Sequence, residues 1–171
     1  MAIVRWANSQ TRPPRLHDRA SDFLHFVETL QPSAQPTFHF LHTMLPHGPY
    51  LWLPSGKRYR AIPALPGNTS GRWQADEWAP IQAYQRALLQ IGFVDTLFGQ
   101  LIDGLKGQGL YDQAYIIITA DHGVSFRPND FRRSLSHTNY QDILRIPFFV
   151  KKPYQATGYI SDRNVETIDI V

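Results

Sequence analysis

The most restrictive feature of this chain is short. Residues 114–120 (Ala-Tyr-Ile-Ile-Ile-Thr-Ala) form a run apolar on both faces, and Asp121-His122-Gly123 follows at once. A strand that is apolar on both faces needs cover on both, as in a parallel sheet flanked by helices. The preceding pattern supplies such a helix. Trp78, Ile81, Tyr84, Leu88, Ile91, Phe98, Ile102 and Leu105 recur along one stripe, Asp76 is placed to cap its start, and Gly107 and Gly109 to stop its end. Earlier, residues 18–30 carry Phe23, Leu24, Phe26, Val27 and Leu30 at helical spacing before Pro32 and Pro36. Residues 37–44 are dense in apolar and β-favouring types and read as a buried strand, and 146–150 read as another. Between them, residues 51–75 hold Pro54, Gly56, Pro63, Pro66, Gly67 and Gly71, which predicts a surface excursion without long elements. The order strand, helix, strand, loop, strand predicts an α/β sheet.

Charge and cysteine content narrow the function classes. Residues 1–19 hold Arg5, Arg12, Arg15 and Arg19 against Asp18, which accounts for the whole net charge of +3. They read as a basic leader or linker. The remainder is balanced, which argues against a broad footprint for nucleic acid. The absence of cysteine removes disulfides, zinc knuckles and a thiol nucleophile from these residues. No apolar run approaches the roughly 18 residues of a membrane span, so the segment itself reads as soluble. Gly-rich phosphate loops and the Gly-x-Ser-x-Gly elbow are absent too.

The candidates for chemistry are histidines and one carboxylate. Asp121 and His122 stand at the carboxyl end of a strand, where open α/β sheets place their ligands. Neighbouring strand residues face opposite ways, so the two can share an ion only if the backbone leaves the extended form, which Gly123 permits. Carboxylate with imidazole suits zinc or manganese, whereas calcium and magnesium favour all-oxygen shells. A bare tripeptide of this kind equally describes a turn that Asp121 caps. His39 and His42 lie on opposite faces of the strand at 37–44, and either suits a core position. His47 sits in a stiff loop between Pro46 and Gly48-Pro49, placed to donate to a substrate oxygen or to bind a metal. His137 lies among Arg132, Arg133, Ser134, Ser136 and Thr138, a setting that suits a sulfate or phosphate ester and equally an ordinary solvent loop.

Three segments in register carry a resemblance: 40–50 (Phe-Leu-His-Thr-Met-Leu-Pro-His-Gly-Pro-Tyr), 115–123 ending in Asp-His-Gly, and 136–150 (Ser-His-Thr-Asn-Tyr-Gln-Asp-Ile-Leu-Arg-Ile-Pro-Phe-Phe-Val). Together they resemble the sulfatase family of the alkaline phosphatase superfamily, including its phosphoethanolamine and phosphoglycerol transferases. The resemblance covers most of residues 20–171, with 164–171 similar to the start of a helix. It implies a partial three-layer α/β/α domain with a mostly parallel central sheet, the carboxyl-terminal part of a catalytic domain truncated at both ends.

The resemblance also implies roles. Asp121 and His122 become ligands of a catalytic divalent metal (zinc, manganese, calcium or magnesium). His47 and His137 become catalytic residues in contact with substrate oxygens or with a second metal, with His42 a supporting substrate contact. Val124 departs from the glutamate that many phosphotransferase members carry there. The family's nucleophile and an early acidic ligand lie upstream of the segment resembling 40–50, and residues 1–39 contain nothing similar. The implied activity is therefore that of a fragment: an ester hydrolase or transferase working through a covalent intermediate on a nucleophile outside this chain, inactive alone, with truncated sheet edges that invite self-association. The implied whole protein is extracytoplasmic and held at a membrane by segments outside this chain. The alternative is a noncatalytic module that binds an anionic glycan or lipid headgroup on the same scaffold.

Overall fold

The computed structural model describes residues 3–8 as backbone, and residues 19–59 and 67–170 in full. Strand β1 (Ile3–Asn8), helix α1 (Arg19–Thr29) and strand β2 (Thr37–His42) form the first unit, with β1 and β2 paired in parallel from Ile3 opposite Thr37 to Asn8 opposite His42. Residues 3–8 are thus a paired strand and not part of a solvated leader. Most of the rest of the expected 1–19 leader lies outside the described residues. Strands β3 (Asn68–Thr69) and β4 (Arg72–Trp73) make a small antiparallel hairpin, followed by the long helix α2 (Trp78–Gly107). Strand β5 (Ile116–Thr119), a short helix α3 (Tyr140–Leu144) and strand β6 (Phe148–Lys151) complete the main elements, and a 3-10 turn at Thr167–Ile170 stands where the start of a helix was expected.

The architecture is α/β, but the sheet pairings differ in detail from a run of parallel strands. β5, expected to be central and parallel, pairs antiparallel with β6, Thr119 opposite Phe148. It alternates half-buried and exposed residues, so its apolar run is covered on one face within the described residues. The five-residue α3 falls in a segment whose polar composition gave no helical signal.

The core lies between α1 and α2. Phe23, Phe26 and Leu30 meet Phe93, Val94, Leu97, Leu101 and Leu105, with Leu45 joining from the loop after β2. Val27 closes on Gly104, where an added Cβ would lie 2.9 Å from the valine Cγ1. The helix boundaries follow the expected chemistry. The Asp76 carboxylate accepts the amide of Trp78 at 3.0 Å, and α2 ends at Gly107 with Gly109 at φ +69°.

The buried face of α2 is not the stripe of largest residues. Trp78, Ile81, Tyr84, Leu88 and Ile91 are exposed, whereas Ala79, Ala83, Ala87 and Gln90 are buried. Small residues win because the chain approaches closely there: a Cβ on Gly67 would overlap Ala79, and one on Gly92 would lie 2.9 Å from Pro54 Cγ. Only toward the carboxyl end do Phe98 and Leu105 from the expected stripe reach the core. By length and composition α2 is also apolar enough to cross a bilayer, a test that core helices of soluble domains also pass. Its packing on α1 accounts for the apolar residues of its second half.

This packing has a measurable consequence. Leu97→Ala, at a site 2% exposed, should cost about 2–5 kcal/mol in denaturant unfolding, whereas Leu88→Ala, at 47% exposed, should stay within about 0.5 kcal/mol. Equal losses at the two positions would contradict the assignment of the buried face.

Candidate active site

The loop that carries His47 is held from two sides. Gln90, 0% exposed in the middle of α2, accepts the amides of Leu51 and Trp52 at Oε1 (2.8 and 3.3 Å) and donates from Nε2 to the carbonyls of Pro46 and His47 (2.8 and 3.1 Å). From the start of α1, Arg19 Nη1 donates to the His47 carbonyl at 2.8 Å. Both proline bonds beside the histidine, Leu45–Pro46 and Gly48–Pro49, are cis. A buried carboxamide with both ends satisfied fixes four backbone groups that would otherwise need water.

The Asp-His-Gly segment is fixed by close approach. The Gly123 amide donates to Ile143 O at 2.7 Å, and a Cβ on Gly123 would overlap the Asp142 carbonyl of α3. The glycine is needed for space; its φ is not in the left-handed region. Asp121 Oδ1 accepts the His122 amide at 2.9 Å, while Oδ2 stands 3.7 Å from His122 Nε2. The backbone therefore does bring this carboxylate and imidazole to one side.

His47 and His122 use the same local device. Nδ1 of His47 lies 2.7 Å from Gly48 O, and Nδ1 of His122 lies 2.7 Å from Gly123 O. A carbonyl only accepts, so each Nδ1 carries the proton and each Nε2 presents a lone pair. Both lone pairs meet one guanidinium: Arg133 Nη2 is 2.5 Å from His122 Nε2, and Arg133 Nη1 is 3.5 Å from His47 Nε2. A guanidinium only donates, which agrees with that tautomer at both rings.

Beside this arrangement opens a cleft of about 300 Å³. His47, Arg132, Arg133 and Ser134 line it together with Phe131 and with Ser70 and Gly71 of the β3–β4 hairpin. The hairpin is no loose excursion. Trp73, 1% exposed, donates from Nε1 to Ser125 O at 2.9 Å, and its amide donates to Asp130 O at 2.9 Å. The Arg132 amide donates to Gly71 O at 2.8 Å. Phe126 fills the space beneath, its ring 5.4–6.1 Å from those of Tyr84, Trp73 and Tyr50.

Charge follows from this packing. Burial lowers the His47 pKa; its bond to Gly48 works the other way, and the nearby Arg132, Arg133 and Arg19 lower it further. Asp130 organises the next loop. Burial pushes its pKa up, but hydrogen bonds from Thr138, the Phe131 amide and Ser136, with the charge of Arg72, hold it below the usual carboxylate range. Asn139, fully buried, donates to Phe131 O (2.7 Å) and Ser134 O (3.0 Å) and so ties the loop ends together. Asp142 is held low by the Arg127 hydrogen bond at 2.7 Å, against burial and aided by Ser125.

The sequence candidates thus separate. His122 and His47 come together through Arg133, and Asp121 stands beside His122. His137 is exposed at the apex of the loop that Asp130 anchors, between Ser136 and Thr138, and does not line the cleft. His42 stands on the exposed face of β2 with Phe38 and Phe40, also outside the cleft lining. The two arginines that the sequence placed around His137 instead approach His47 and His122. Gln90 escaped notice; its only signal is a polar residue on the face of α2 that carries Ala83, Ala87 and Val94. Among the described residues no group of three or more His, Asp or Glu side chains converges as a metal cage, so Asp121 and His122 form a two-donor set.

A family model described as Sulfatase matches residues 6–171. A protein named Sulfatase from Formosa agariphila is 28% identical over 118 residues, covering 68% of this chain and 22% of its own length. The crystal structure of yidJ from Bacteroides fragilis, assigned as a sulfatase, superposes with a TM-score of 0.56 at 20% identity over 80% of this chain and 30% of that one. This last likeness shows the fold. The chain spans less than a third of either relative.

The surroundings of His47 predict its titration. Its imidazole should titrate below the usual value of about 6.5 in a pH series followed by NMR. Because folding then disfavours the imidazolium, stability should fall as pH drops from about 6.5 through the lowered midpoint, and His47→Gln should remove that share of the loss. A midpoint at or above the usual value would contradict the burial and arginine contacts.

Proposed function

The chain belongs to the sulfatase family, and on that premise we propose that it is the carboxyl-terminal part of a metal-dependent hydrolase or transferase of sulfuric or phosphoric esters. The observation that carries the proposal is the meeting of Asp121 Oδ2 and His122 Nε2 at 3.7 Å, with the His122 proton committed to Nδ1. Asp121 Oδ2 and His122 Nε2 are acceptor atoms on one side of the backbone; the Arg133 guanidinium that His122 Nε2 accepts from would have to give way to a bound ion, and a metal-binding histidine commonly donates its other ring N–H to a backbone carbonyl. One carboxylate oxygen and one imidazole nitrogen fit a divalent ion such as zinc or manganese. They supply part of its shell, and the remaining ligands would come from polypeptide outside these residues. When bound, such an ion would lower the pKa of a hydroxyl nucleophile and offset charge on the ester oxygens.

The residues of this chain then have distinct tasks. Asp121 and His122 hold the ion. His47, neutral near pH 7 and facing the cleft, accepts a proton or hydrogen bond from the reacting group. The attacking hydroxyl lies outside this chain; its oxygen bonds to the sulfur or phosphorus as the bond to the alcohol oxygen breaks, the alcohol leaves with the proton taken from the hydroxyl, and water or an acceptor alcohol later displaces the enzyme oxygen from the covalent intermediate. His137, on its exposed loop, and His42 are assigned to outer substrate contacts. In the same proposal the whole protein acts outside the cytoplasm and is held at a membrane by segments outside these residues. The edges of the β5–β6 sheet, which has two strands among the described residues, favour self-association of the isolated chain. The relatives it matches bear the name sulfatase, which supports an ester enzyme over a noncatalytic binding module.

Titration calorimetry with zinc and with manganese on the purified chain, beside Asp121→Ala, tests the ligand assignment. Weak binding of one ion that Asp121→Ala abolishes is the expected result, with no ester turnover by the isolated chain. Unchanged metal binding in Asp121→Ala, or robust turnover by the chain alone, would contradict the proposal.

A further inference from the structure

Outside the cleft lining, the segment that continues the His47 loop carries cations that no acid answers. Residues 51–59 turn back on themselves: the Leu53 amide donates to Lys57 O and the Tyr59 amide to Leu51 O, both at 2.8 Å, and Gly56 turns the chain at φ +78°. The turn is fastened to α2, because Gln90 Oε1 accepts the Leu51 and Trp52 amides and Thr96 Oγ1 donates to Pro54 O at 3.1 Å. Two aromatic rings then serve as platforms. Trp52 stacks on Phe93 with centroids 4.7 Å apart, and the Arg58 guanidinium lies over the indole at 5.0 Å. Arg86, from α2, lies over the Tyr59 ring at 5.8 Å. Attraction to a ring face holds a guanidinium in place without neutralising it. Among the described residues no carboxylate pairs with Lys57, Arg58 or Arg86, and Arg58 Nε is buried without a hydrogen-bond partner.

We infer that Lys57, Arg58 and Arg86 form a docking surface for a sulfated polysaccharide, a second contact beyond the ester group that reacts. The inference rests on the ester reading above and names its substrate class, a polymer that repeats its sulfate groups. Spacing selects a polymer. Arg86 and Phe93, the residue stacked against Trp52, are seven positions apart, about 10 Å of helix. The guanidiniums therefore rest on separate platforms, which suits several anionic groups on one ligand better than a single small ion. Each planar fork matches the oxygens of a sulfate group. The tip of the turn, Pro54-Ser55-Gly56-Lys57, has no large apolar side chain to enter a bilayer, which disfavours a lipid surface. Gln90 also ties the surface to the site: its Oε1 holds the turn while its Nε2 holds the Pro46 and His47 carbonyls. A chain bound at 57, 58 and 86 is thus held in a fixed relation to the His47 loop.

The test needs neither metal nor turnover. The isotope-labelled 171-residue chain is titrated, in the presence of a chelator, with dextran sulfate, with unmodified dextran, with inorganic sulfate at matched ionic strength, and with phosphatidylglycerol vesicles, and followed by NMR. Dextran sulfate should shift the amides of residues 52–59 and the Trp52 indole N–H, with an affinity that falls as salt is added. Dextran, inorganic sulfate and vesicles should leave those signals in place. Lys57→Met and Arg86→Met, each checked for folding by circular dichroism, should weaken polymer binding about three- to fivefold, and the double variant about tenfold or more. Lys152→Met, which removes the same charge from an exposed position after β6, should change it less than about twofold. A folded double variant that binds dextran sulfate as tightly as the parent would overturn the inference. So would equal shifts from inorganic sulfate, or vesicle binding that the double variant abolishes, which would give the face to a lipid surface. Loss of metal binding in Asp121→Ala with polymer binding intact leaves this surface standing, and polymer binding that fails while metal binding holds fails this surface alone.

Discussion

The site depends on where two protons sit. His47 and His122 each donate Nδ1–H to the carbonyl of the glycine that follows, so the ring orientation is set within two residues of backbone. A histidine tied this way cannot present both nitrogens to a ligand; it offers one lone pair in a fixed direction. With both rings committed, their Nε2 atoms converge on Arg133, although 75 positions separate them in the chain. The arrangement beside the cleft depends on that convergence, because the reverse tautomer at either ring would turn an N–H against a guanidinium.

Distant packing makes the local device effective. Gln90 holds the His47 loop to α2 with four hydrogen bonds, each worth about 1 kcal/mol net, and losing it would strand buried amides and carbonyls at greater cost. On the other side, Gly123 lies flush against α3, which fixes the direction in which β5 delivers Asp121 and His122. Trp73 and Asn139 fasten the hairpin and the 130–139 loop into the walls of the cleft. The polar groups in these walls are largely satisfied by one another. The arginines facing the opening are the exception, and they give the cleft its sign.

Much of this was legible in the sequence where a short-range rule decided the outcome. The 3.6-residue pattern placed α1, the Asp76 and glycine signals bounded α2, and β-favouring runs marked β2, β5 and β6. The motifs Pro46-His47-Gly48-Pro49 and Asp121-His122-Gly123 pointed to the rings that the fold brings together. Failures came where partners decide. Hydrophobic size alone picked the wrong face of α2, because Gly67 packs closely on Ala79 and Pro54 on Gly92, where large side chains have no room. β5 looked central by composition, but strand direction is set by its partner β6. Arg132 and Arg133 stood near His137 in sequence, yet the turn built on Asp130 sends them toward His47 instead.

Protonation of the two rings is open to direct observation. Long-range nitrogen–proton correlation spectra of the uniformly labelled chain near neutral pH distinguish a protonated from an unprotonated ring nitrogen at each histidine. The account predicts the Nδ1–H tautomer at both His47 and His122, with Nε2 of each carrying its lone pair. Finding Nε2–H at either ring would contradict it, since that proton would point at Arg133 and leave no common acceptor site.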